Sequence, residues 1–261
     1  MRPRYRAQGL AWGVTALLIV ACARDSGYDG RSAGEWAAQL DSARDPQKRI
    51  EAANAFLRSP PHTYENVHAL LRAAAMDEEG IVRTMARAAL THLGEDATPA
   101  LVRALGDPND SVAVRAMFAL GGIGMYAYDA RDTVKKLAEK PGLLRAAALE
   151  ALPNVDTETH SFVPTYREAM ADTSERVRLS AVRNLWAAAR TLDHDVVPLL
   201  ARALADRSDS VRFAAVEMLR RMGSPARAAL PALDALAKGR GPVADSARAA
   251  LAAIRGTNPP A

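Results

Sequence analysis

The residues of this chain that could do acid–base or metal chemistry are His62, His68, His92, His160 and His194, together with the lone thiol of Cys22. No His-Glu-x-x-His pairs two histidines on one helix face, and one cysteine cannot build a multi-thiolate zinc site or a disulfide framework. Asp193-His194-Asp195 places metal-ligand types side by side, but it falls between repeating units, where an aspartate is more simply a helix cap. Gly121-Gly-Ile-Gly124 lacks the spacing of a phosphate-cradling G-x-G-x-x-G loop and follows a helical pattern instead of a strand; G-x-S-x-G is absent. The acidic runs Asp77-Glu-Glu79 and Asp206–Asp209 lie in turns and read as caps and solvated faces. The expectation is a non-enzymatic chain with no catalytic residue, metal or cofactor.

Arginine is the other chemically capable type, and its spacing is regular. The pattern V-R-x-x-A-x-x-A-L begins at Lys48, Val82, Val112, Leu144, Val177, Val211 and Val243, at intervals of 34, 30, 32, 33, 34 and 32 residues. Its second position is Arg49, Arg83, Arg145, Arg178 and Arg212, with Ala113 and Ala244 in the remaining two units. Five arginines at repeat spacing could form a basic stripe for phosphate. Three of them follow an acid in the preceding turn (Glu79, Glu175 and Asp209), so a ladder of caps and ion pairs between adjacent units is the preferred reading.

The repeat also dictates the elements. Its fifth position is Ala in all seven units and its ninth is Phe56 or Leu. Positions 1, 5, 8, 9 and 12 share one stripe of an α-helix, and the invariant small residue lets two helices approach closely. A second helix precedes each motif, marked by Leu105, Leu137, Met170, Leu204 and Leu236, each seven residues ahead. Pro99, Pro164, Pro198 and Pro231 are expected near first turns, where a missing N–H costs nothing, and Gly94, Gly124 and Gly223 just past helix ends. With 56 alanines and 5% aromatics, the composition suits closely packed helices better than strands. The expected fold is all-α, an α-solenoid of about seven helical hairpins over residues 33–256, with Lys48 marking unit one as a frayed cap and 257–261 as a tail.

This pattern resembles HEAT repeats, in particular the short subtype named after phycobilisome lyase subunits, over about residues 33–256. Asp209-Ser-Val-Arg-Phe-Ala-Ala215 and Ala119-Leu-Gly-Gly-Ile-Gly124 are its most typical stretches. Ankyrin's T-P-L-H survives only as Thr98-Pro-Ala-Leu101, and the tetratricopeptide Trp/Gly/Tyr spacing is missing. The resemblance implies a binding array. Its name also raises an alternative, an accessory subunit of a lyase or cofactor-attachment system, which a repeat resemblance alone does not establish.

Ahead of the repeats, Arg2, Arg4 and Arg6 precede the apolar run Leu10–Val20, too short to span a bilayer comfortably. Ile19-Val20-Ala21-Cys22 resembles a bacterial lipobox, which implies a signal peptide at 1–21, lipidation of Cys22 and a short linker through 32. Ala21-Cys22-Ala23 also fits an ordinary signal-peptidase site, and an uncut anchor is a third option. The only cysteine standing where a lipobox needs it favours the first. Ala23 after that cysteine implies, by the same resemblance, the outer membrane in a Gram-negative host. The formal charge of +4 then belongs mostly to the leader, because removing residues 1–21 leaves 31 basic against 30 acidic residues. A nearly neutral exported chain is not expected to bind nucleic acid.

What remains for function is surface. In a solenoid the second helices line the concave side, and their positions off the core stripe include Arg183, Trp186 and Arg190 in unit five and Phe213, Glu217, Arg220 and Arg221 in unit six. Unit two adds Arg87 and His92. A Trp flanked by arginines has the composition of an interface hot spot, although Trp186 could equally pack between repeats. Met125-Tyr-Ala-Tyr128 is a secondary candidate as an exposed aromatic loop. The expectation is a membrane-tethered adaptor or scaffold that binds a protein partner.

Overall fold

A computed structural model describes residues 28–156, 162–189 and 193–256, with only the backbone described for 186–189 and 193–195. The segment expected to be a signal peptide, Cys22 and residues 257–261 therefore lie outside the described residues. The chain divides into two compact units after Leu93. The first holds α1 (Ala33–Ser42), α2 (Pro46–Arg58), α3 (Tyr64–Met76) and α4 (Gly80–Leu90). The second holds α5 (Thr98–Ala104), α6 (Asp110–Ile123), α7 (Arg131–Glu139), α8 (Arg145–Val155), α9 (Val163–Ala169), α10 (Glu175–Ala189), α11 (Asp193–Ala203), α12 (Asp209–Met222), α13 (Leu230–Ala237) and α14 (Pro242–Arg255). Among the described residues these form seven hairpins, in the repeating helical architecture of an α-solenoid.

The packing follows the repeat. The fifth-position alanines Ala52, Ala86, Ala116, Ala148, Ala181, Ala215 and Ala247 are all completely buried, as are the ninth-position residues Phe56, Leu120, Leu152, Leu185 and Leu219 to within 1%. In the first unit α2 packs on α4, and in the second α6, α8, α10, α12 and α14 form a continuous row, each against the next. Small side chains at these contacts allow the helices to approach closely. Gly121 on α6 is the tightest case, because a Cβ there would lie 3.1 Å from the Cβ of Ala151 on α8.

Some local expectations need correction. Pro99, Pro164 and Pro231 do occupy first turns, but Pro198 is inside α11, which begins a turn earlier at Asp193. Gly124 and Gly223 close α6 and α12 with φ of 66° and 64°, a region that favours glycine. Gly94, at φ −91°, does not close α4, which already ends at Leu90; it stands instead at the N-terminus of the 3-10 turn Glu95–Ala97. Hairpin one is not frayed. Ser32 and Glu35 form a capping box at α1, Trp36 is buried with its Nε1 donating to the Tyr28 carbonyl at 2.9 Å, and Arg31 stacks 4.0 Å over its ring.

Candidate partner-binding surface

The repeat arginines do form a ladder, but with partners other than the preceding acids. Arg49 Nε and Nη2 donate to Asp77 at 2.9 and 3.1 Å, and Arg178 makes the same two-pronged contact to Asp206 at 2.8 and 3.0 Å. Arg145 Nη1 reaches Asp172 at 2.6 Å. Each acceptor belongs to the turn of the following hairpin. The remaining donors turn back to the arginine's own hairpin, as Arg178 Nη1 does to the Asp172 and Thr173 carbonyls at 2.9 and 3.1 Å. Those carbonyls lie past the end of a first helix, and Thr173 also accepts from Arg207 Nη2 at 2.5 Å. Each aspartate also accepts the backbone N–H two residues on: Asp77 from Glu79, Asp172 from Ser174 and Asp206 from Ser208. One carboxylate therefore shapes its own turn and holds the previous repeat.

Arg49, Arg145 and Arg178 are buried by this arrangement. Hydrogen bonding to Asp77 holds the Arg49 guanidinium above its ordinary pKa, and Asp206 does the same for Arg178. Burial alone would raise the Asp206 carboxyl. The Arg178 hydrogen bonds, the Ser208 N–H and the nearby charges outweigh it and hold the group below the usual carboxylate range. Arg83 instead donates to the Asp77 and Glu78 carbonyls at 2.5 and 3.0 Å, and only Arg212 pairs with the acid of its own turn, Asp209. Sequence reasoning missed Asp77, Asp172 and Asp206 as partners, although they stand 28, 27 and 28 residues after their arginines.

With the motif arginines engaged in structural contacts, the residues expected from sequence to form a docking surface can be followed on α10 and α12. Phe213, Glu217, Arg220 and Arg221 fall at i, i+4, i+7 and i+8 and so share one face of α12. Phe213 is 48% exposed, a large apolar side chain left in water. Beside it, Glu217 accepts from Arg220 Nε and Nη2 at 2.8 and 2.9 Å and from Arg221 Nε at 2.8 Å. The Arg220 hydrogen bonds, with those of Arg221, bring the Glu217 carboxyl down to about 2. The result is an orientated cationic fork at the C-terminal turn of α12, where positive charge also suits the helix dipole. Arg183 is exposed on the neighbouring α10. The side chain of Trp186 and all of Arg190 lie outside the described residues.

The other expectations resolve locally. In the first unit, Arg87 Nε donates to the Ala74 carbonyl at 3.1 Å and His92 Nδ1 lies 2.9 Å from the Ala88 carbonyl. Met125, Tyr126 and Tyr128 are exposed, as an aromatic loop should be, on a 3-10 segment spanning Gly124–Ala130. Among the described residues no three metal-ligating side chains gather into a site. No described helix is long and apolar enough to cross a membrane. The side chains of Asp193-His194-Asp195 are outside the described set.

A model of HEAT repeats matches residues 98–186 and 163–252, together more than half of the chain. The chain belongs to the HEAT-repeat family. No curated protein sequence matches it. Among solved structures it is similar to YibA of Escherichia coli, at 18% identity and a TM-score of 0.56 over 95% of this chain and 88% of that one. It is also similar to an archaeal HEAT-like repeats protein from Thermococcus onnurineus, at 14% identity and a TM-score of 0.53 over 87% of this chain and 98% of that one. At these identities the likeness concerns the fold. The complex of CpcE and CpcF of phycocyanin lyase from Nostoc also matches, at 23% identity and a TM-score of 0.43 over 86% and 95% of the two chains. That likeness is too loose to transfer what the complex does.

Proposed function

We propose that this chain is an exported, lipid-anchored HEAT-repeat protein of the bacterial cell envelope, acting without catalysis as an adaptor or scaffold for a protein partner. The observation that carries the docking surface is the face of α12. An exposed Phe213 stands beside a fork whose charges are already orientated by Glu217, so little rotamer freedom is left to lose on binding. Exposed Arg183 on α10 extends the same surface, and the sequence adds Trp186 and Arg190, whose side chains lie outside the described residues, as further candidates. Burial of Arg49, Arg145 and Arg178 in ion pairs supports a reading without nucleic acid, because those groups are not presented to phosphate. The lipid anchor rests on the sequence around Cys22. A linker from Ala23 to Arg31 would reach at most roughly 30 Å, keeping the array close to the membrane.

Two measurements test this reading. Radiolabelled palmitate should enter the wild-type protein and not Cys22→Ala, and label persisting in the variant contradicts the anchor. Affinity purification from native membranes should co-isolate a partner with wild type and lose most of it with Phe213→Ala/Arg220→Ala. Equal recovery by both proteins contradicts docking on this face.

A further inference from the structure

Hairpin three carries a second surface of opposite charge. The 3-10 turn Glu95–Ala97 ahead of α5 and the segment Gly124–Ala130 after α6 flank a groove of about 490 Å³. Met125, Tyr126 and Tyr128 line it and are 59%, 69% and 56% exposed. Glu95, Asp96 and Asp129 line it as well, and among the described residues these three carboxylates accept no side-chain hydrogen bond or ion pair. These three free carboxylates surround the exposed rings. Thr98 lines the same groove, with its Oγ1 buried and without a hydrogen-bond partner.

We infer that this groove binds a basic segment of a partner protein, seating a lysine or arginine side chain against the tyrosines. Ring faces attract a cation, the three carboxylates supply the complementary charge, and an incoming N–H would give the Thr98 hydroxyl a donor. The structure already shows the chemistry on one ring: Arg131 lies 4.9 Å over Tyr128 and donates to its hydroxyl at 2.9 Å. The charge of Arg131 is itself engaged by Asp132 and Asp156 at 3.4 and 3.9 Å, leaving the groove carboxylates uncompensated. A phosphate ligand would meet like charge here. The inference is independent of whether the face of α10 and α12 docks anything.

The test is fluorescence anisotropy of the full chain with a labelled Lys-Gly-Arg-Gly repeat peptide, beside a Glu-Gly-Asp-Gly control. Saturable binding of the basic peptide alone is expected, weakened about tenfold by Glu95→Gln/Asp96→Asn/Asp129→Asn and about fivefold by Tyr126→Ser, with Asp234→Asn unchanged. The substituted groove side chains are exposed, and unchanged melting curves would confirm that folding is intact. Equal binding of the acidic peptide, or wild-type binding by both groove variants, overturns the inference. So does a wild-type dimer in sedimentation that the groove variants abolish, since a second copy would then be the occupant.

Discussion

Within the second unit, the joint between hairpins three and four is built differently from the two joints that follow it. At those later joints Arg145 and Arg178 reach forward to Asp172 and Asp206. At the earlier joint both members are missing: Ala113 replaces the arginine, and the next turn is Lys140-Pro-Gly142, with no aspartate. Contact there relies on close backbone approach, Gly121 against Ala151. Arg212 shows the half-case, since the turn before α14 offers no aspartate and the guanidinium falls back on Asp209 and the Asp206 carbonyl. A rung therefore needs two residues in neighbouring repeats. Losing one member of a buried pair is costly, whereas losing both leaves a joint that can be filled by packing.

That contrast can be broken most severely at a laced joint. Arg178→Ala should cost about 3–5 kcal/mol in urea unfolding, because Asp206 is left nearly buried and the Asp172 carbonyl loses the Arg178 donor, while Thr173 keeps the one from Arg207. The same substitution at the other joint has nothing to remove. There the sensitive residue is Gly121, and Gly121→Val should cost about 1–3 kcal/mol by forcing α6 from α8. A smaller effect separates the joints by pH. Because the folded state holds the Asp206 carboxyl below its unfolded value of about 3.9, its contribution is complete above that pH and is lost as pH falls through the folded value. Asp206→Asn should therefore lower stability at pH 7 and flatten its decline below about pH 4, as read by thermal melts across pH. The smallest change should come from Arg221→Ala, within about 0.5 kcal/mol, since its pair with Glu217 is solvent-exposed. A stability loss as large as that of Arg178→Ala would place the fork in the scaffold and not in a binding surface.

The fold was legible because each repeat states it twice, in a helical stripe and in an invariant buried alanine. The ladder was only half legible. Proximity in sequence pointed Arg178 to Glu175, whereas the solenoid geometry brings Asp206 to it from 28 residues away. Local capping was similarly misread at Gly94, where glycine followed the helix by several residues. On the candidate surface, the i, i+4, i+7, i+8 spacing located the α12 stripe, but the fork depended on rotamers that spacing does not specify. The acidic groove of hairpin three was less visible still, because Glu95 and Asp129 belong to segments that meet only after α5 and α6 fold back on one another.

Site-specific photo-cross-linking in the native envelope tests the docking claim most directly. A photoreactive residue at Arg183 should capture one discrete protein, and that product should disappear when Phe213→Ala and Arg220→Ala are introduced in the same chain. Capture of the same protein with equal yield from exposed Arg227, or persistence of the Arg183 product in the double variant, would contradict binding at the face of α10 and α12.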